Sequence, residues 1–147
     1  MKEKSTSDLD NVLKSTSKSS FKKARIENDL QEIVSLKDYL TEFISTHNLE
    51  LNEIINNSQL SKNYAYGIFN GNRKNPSRDR MIAICRAMHM NYDETQRTLK
   101  IAKLGALYSK DVRDAAIITS INADDSVYDM NLFLDDNNLN PLETEKS

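Results

Sequence analysis

Gln59-Leu60-Ser61-Lys62-Asn63-Tyr64-Ala65-Tyr66-Gly67-Ile68-Phe69-Asn70 is the stretch on which the reading of the chain turns. Ser61 is a strong N-cap, since its hydroxyl oxygen can accept one of the unpaired backbone N–H groups that open a helix. Leu60, Ala65 and Ile68 fall at the spacing of a narrow buried stripe, and Asn70-Gly71 is a helix-ending pair. Lys62, Asn63 and Tyr66 are left outside. Tyr64 and Tyr66 cannot share a face, so Tyr64, next to the stripe, is expected in the core. Beyond the stop lies a basic, amide-rich loop, Asn72-Arg73-Lys74-Asn75-Pro76-Ser77. Before the start, Leu51, Ile54 and Ile55 mark a short helix, and Asn57-Ser58-Gln59 a turn. The order is helix, tight turn, capped helix, basic loop.

Working outward, Ile33, Leu36, Leu40, Phe43 and Ile44 form an i, i+3, i+4 stripe, predicting a helix that ends near His47-Asn48. Pro76-Ser77 opens another, with Met81, Ile84, Cys85 and Met88 inward. Asn91 caps a fifth over Tyr92 to about Lys103, with Tyr92, Thr95, Leu99 and Ala102 on its buried side. Three glycines and two prolines leave long unpunctuated spans of helical periodicity, so the fold class is all-α.

The segment Leu49 to Ser77 resembles the Cro/repressor (XRE, lambda-repressor-like) helix-turn-helix family, and the five-helix span of about residues 33 to 104 is similar to that family's domain in length. The resemblance implies binding of double-stranded DNA by a transcription regulator, with helix 61–70 in the major groove. Carried over by position, Lys62, Asn63 and Tyr66 face base edges or flanking phosphates, while Asn70, Asn72, Arg73 and Lys74 hold the backbone. The side-chain chemistry agrees: Lys and Arg neutralise phosphates, and an Asn amide offers the donor and acceptor that match an adenine edge. A homodimer follows from the resemblance alone. Three positions depart from the family pattern. Leu51 stands where a phosphate-binding Gln is common, Ile55 where a small residue is favoured, and Gln59 where Gly is favoured, so that a Gln is expected at positive φ.

The rest of the chain divides at about residues 30 and 105. Residues 1–30 are a Lys/Ser-rich stretch expected to be a largely disordered tail, although Leu9, Val12, Leu13 and Phe21 allow a helical turn that docks on a partner. That turn is equally able to dock on the body of the protein, and the hydroxyls of the stretch also admit phosphorylation. Residues 31–105 are the helix-turn-helix domain, and 106–147 a C-terminal helical hairpin with an acidic tail. The hairpin is read from an echo. Shifting the sequence by 35 residues superimposes Arg78-Asp79 on Arg113-Asp114, Ile82 on Ile117, Leu99 on Leu134 and the caps Asn91 and Ser126 on each other. Glu94 and Asp129 follow these caps in the capping-box position. The predicted helices are 111–122 and 126–137, stacked on the preceding pair as repeat units are.

A net charge of -2 conceals polarity: residues 61–80 hold five basic residues against one acidic, and 124–147 one against seven. A basic centre suits phosphate, and an acidic end suits solubility or a basic partner. The single cysteine, Cys85, excludes an internal disulfide and a cysteine-based metal cluster, and reads as an inert core thiol. No apolar run suits a membrane span, so a soluble, cytoplasmic protein is expected. His47 and His89 read as capping or exposed residues. No catalytic set, metal site or cofactor motif is found, and Pro141 and Leu139 spoil the one segment, Asp135 to Glu143, with a superficial likeness to a calcium loop. Two function classes remain: a sequence-specific DNA-binding regulator, and a protein-interaction module or inhibitor on the same scaffold that does not bind DNA.

Overall fold

The computed structural model describes residues 6–27 and 35–144, which divide between two compact units, Met1–Ile33 and Val34–Ser147. The described residues contain helices and turns and no strand, as the periodicity predicts. Ile33 of the predicted first stripe lies outside them. None of the helices is long and apolar enough to cross a membrane.

In the first unit, helix occupies part of the segment predicted as a disordered tail. α1 spans Thr6–Lys14, a three-residue 3-10 turn follows at Lys18–Ser20, and α2 spans Phe21–Glu27. The physical reason is local. Leu9, Val12 and Leu13 give α1 one apolar side, and the Ser15 and Thr16 hydroxyls donate to Val12 O at 2.9 and 2.7 Å, closing its last turn. Ser17 then caps the 3-10 turn by accepting from Ser20 N. The hydroxyls that suggested disorder thus serve as caps.

The second unit contains α3 (Leu36–Thr46), α4 (Leu51–Ser58), α5 (Lys62–Phe69), α6 (Arg78–Ala87), α7 (Tyr92–Ile101), α8 (Val112–Asn122) and α9 (Val127–Asp136). Ser35, Ser61, Ser77, Asn91, Asp111 and Ser126 cap six of these, each side chain accepting the N–H three residues on. Asn91 and Glu94 complete a reciprocal capping box. At Ser126 the bond from Asp129 N is made. With few glycines, six helix ends reverse through other residues, Asn48, Gln59, His89, Lys103, Asp124 and Asn138, at φ between 53° and 63°. A Gln at 59 with positive φ is what the turn predicted.

α6 is the centre. Met81 through Met88 are all buried, against the inward residues of α4, α7 and α9. Arg86 is buried with them, donating to Asp125 O at 2.9 Å, to Asp124 Oδ1 at 3.2 Å and to Met90 O. Partial burial opposes ionisation of Asp124, but hydrogen bonds from His89 and Arg86 outweigh it and hold the carboxyl below its ordinary range. Burial pushes the Cys85 thiol up to about 12, so at mildly alkaline pH the nucleophilic thiolate is scarce. Native protein is therefore expected to leave an aromatic disulfide reagent unreacted over hours and to react with one equivalent only after denaturant is added; fast native reaction, read by absorbance, contradicts this.

The sequence echo is real in three dimensions, and its geometry differs from stacked repeats. Arg78 grips Asp114 through two bonds of 2.9 and 2.7 Å, and Arg113 grips Asp79 through two of 3.1 and 3.0 Å. Arg78 also donates to Gly105 O and Ala106 O, and Arg113 to Asn140 O and Pro141 O, 35 positions on in each case. Tyr108 N donates to Asp114, and Glu143 N to Asp79. Gln96 holds Leu107 N as Asn131 holds Leu142 N. In an open stack, contacts run one way from each unit to the next. Here each hairpin gives the other the same residue that it receives, which is the rule of an isologous two-fold contact. The α6–α7 and α8–α9 hairpins are therefore related as two halves of a pseudo-dimer within one chain.

Candidate functional site

Beside this pseudo-symmetric pair, α4, α5 and the 70–77 loop build the candidate site. The Ser58 hydroxyl donates to Ile55 O at 2.7 Å and accepts from Leu60 N at 3.2 Å, so the turn into α5 keeps its buried polar groups satisfied. Ala65, Ile68 and Phe69 are buried, as is Tyr64, while Lys62, Asn63 and Tyr66 are exposed. Inward and outward residues fall as the periodicity predicts.

The loop is held to α5 from below. Arg73 N donates to Gly67 O at 2.8 Å, and the Arg73 guanidinium lies 4.0 Å from the centre of the Tyr64 ring. Arg80 lies 4.6 Å from the same ring, and the Tyr64 hydroxyl accepts the Ser77 N–H at 3.0 Å. Asn70 Oδ1 accepts Asn72 N at 2.9 Å, fixing the start of the loop, and Gly71 passes at φ 81° against the stem of Lys37. The Tyr66 hydroxyl donates to Asn52 Oδ1 on α4 at 3.0 Å.

Six of the seven predicted residues, Asn63, Tyr66, Asn70, Asn72, Arg73 and Lys74, line one open concavity of about 600 Å³. Lys62 is exposed at the start of α5 and is not part of its lining. Gly67 and Asn75 also line it, and Asn52 reaches it through Tyr66; sequence reasoning missed all three. Asn75 was one position past the residues singled out, whereas the Asn52 contact bridges 14 positions and has no local signature. The surface presents four amides, a phenol, an ammonium and a guanidinium, and among the described residues no carboxylate lines it. Arg78 and Arg80, grouped with the basic loop by sequence, are used elsewhere: Arg78 pairs with Asp114, and Arg80 is folded against Tyr64 with Glu143 at 4.0 Å. His47 caps α3 and stacks on Phe43, and His89 is exposed beside Asp124, as helix-end histidines do. Among the described residues no group of His, Cys, Asp or Glu is placed to hold a metal ion.

No protein-family model, curated protein or solved structure matches the chain.

Proposed function

We propose that residues 49–77 act as a helix-turn-helix of the Cro/repressor type and that the protein is a sequence-specific DNA-binding regulator with α5 in the major groove. The observation that carries this reading is the convergence of Asn63, Tyr66, Asn70, Asn72, Arg73 and Lys74 on one concave surface, built on the exposed side of α5 and lined by no carboxylate among the described residues. An exposed helix of this kind fits the width of a B-DNA major groove. In this reading Asn63 reads an adenine edge, and Lys62, Arg73 and Lys74 neutralise phosphates. Two copies acting as a dimer would read half-sites about 34 Å apart.

The test is retention of a random-sequence duplex pool by the full chain at low and then moderate salt, with sequencing of the retained fraction. The expected result is salt-sensitive binding with an enriched motif. Lys62→Ala and Arg73→Ala each weaken binding and flatten the dependence of log affinity on log salt by about one unit. Failure to retain duplex even at low salt overturns the reading in favour of a protein-interaction module.

A further inference from the structure

The pseudo-two-fold gives the chain an internal control. On the first hairpin, α3 meets the outer side of α7 at two points, with Glu94 3.9 Å from His47 and Arg97 over the Tyr39 ring at 5.8 Å, while Asp93 and Arg97 stay exposed. The side of α3 that does this carries aromatic rings at i, i+4 and i+8, with Tyr39 against Phe43 and Phe43 stacked on His47. Adding 35 to Glu94, Arg97 and Thr98 gives Asp129, Leu132 and Phe133 on α9. Among the described residues of this unit no ion pair or ring contact joins them to another helix as Glu94 and Arg97 are joined to α3. Leu132 is 45 % exposed, Phe133 is half-buried where Thr98 is fully buried, and Tyr128, one turn before Leu132, is 62 % exposed. The face is also more apolar than its counterpart, with Leu132 in the place of Arg97 and Tyr128 in that of Asp93.

Charge selects the occupant. Asp129, Asp135 and Asp136 are exposed along α9, and the chain has no Lys or Arg between Arg113 and Lys146. A second copy meeting this face with its own α9 would set these carboxylates against each other, an unfavourable arrangement at an interface. We propose that the outer face of α9, centred on Leu132 and Phe133 and edged by Tyr128, Asp129 and Asp136, docks a basic amphipathic helix of a partner protein. The partner helix meets this face with side chains placed as Tyr39 and His47 of α3 are placed on α7. It sets aromatic side chains one turn apart on Leu132 and Phe133 and Lys or Arg against the aspartates, the helix-in-groove mode of recognition. This does not depend on the DNA-binding reading.

The probe is a fluorescent peptide with the sequence of residues 35–48, which keeps Tyr39, Phe43 and His47 and carries D38K and E42K at two positions exposed in α3. It is titrated with the full chain by anisotropy. Saturable binding is expected, weakened about tenfold by Leu132→Lys and similarly by Asp129→Lys. Both are exposed positions, and melting curves coincident with the parent protein establish that the variants are folded. The proposal is overturned by absence of saturable binding, or by binding that Leu132→Lys leaves unchanged. It is equally overturned if sedimentation finds a dimer that Leu132→Lys dissociates, since the face would then belong to a second copy.

Discussion

A chain ended at Lys110 loses the cooperative unfolding transition of the full-length protein. α8 and α9 supply Ile117, Ile121, Val127, Met130 and Leu134 to the same core as α6, each with almost no exposed surface. Burying a large aliphatic side chain is worth roughly 1.5–3 kcal/mol, so these residues together approach the roughly 5–15 kcal/mol that separates a whole domain from its unfolded state. Polar losses add to this. Truncation leaves Arg78 without Asp114, Asp79 without Arg113, and the buried Arg86 guanidinium without the carbonyl of Asp125. The expected product keeps part of its helix in far-ultraviolet circular dichroism. It loses near-ultraviolet signal and amide dispersion, and melts without a sharp urea transition. A truncated chain that unfolds cooperatively near the full-length midpoint would show that the second hairpin is dispensable.

The features legible in the sequence are those set by one or a few consecutive residues. Ser61, Asn91 and Ser126 were readable as caps because capping chemistry is local, and all three accept the predicted N–H. The buried stripe of α5 and the positive φ of Gln59 were readable for the same reason. The echo at 35 positions was visible as letters, but letters compare a residue only with its own counterpart. That Arg78 pairs with Asp114, and Arg113 with Asp79, is a relation between non-equivalent positions, and it separates a closed two-fold from an open stack. Charge counting failed at the site for a related reason. It grouped Arg78 and Arg80 with Arg73 and Lys74, although Arg78 is gripped by a carboxylate and the Arg80 side chain is only 12 % exposed, whereas Arg73, over the same Tyr64 ring, stays exposed. In residues 6–27, composition described the hydroxyls without revealing that Ser15 and Thr16 close a helix on Val12 O.

The cross-paired arginines yield the second large effect. Asp114→Ala lowers the stability of the full chain by about 3 kcal/mol, because it strands Arg78 after removing three hydrogen bonds at a carboxylate only 9 % exposed. Asp79→Ala costs less, since its side chain is 20 % exposed and its partner Arg113 24 %. The double variant Arg78→Ala with Asp114→Ala is less destabilised than the sum of the single changes, by about 0.5–3 kcal/mol, because the second substitution removes the charge that the first left unpaired. A cycle that sums without remainder would mean that the two side chains are independent. The pair also fixes a pH dependence. Burial by itself pushes the Asp114 carboxyl up, but the hydrogen bonds from Arg78 and Tyr108 N–H outweigh it, so the folded-state value lies below the ordinary 3.8. A carboxyl depressed in the folded state adds stability that is fully present above its unfolded value and is lost as pH falls through its folded value. Stability conferred by Asp114 therefore persists at neutral pH and declines below about pH 4. Asp114→Asn is expected to be destabilised at neutral pH and to approach the parent protein as the acid is titrated. Urea midpoints measured down this range should converge; a gap that stays constant with pH would mean that the Asp114 charge plays no part in holding the two hairpins together.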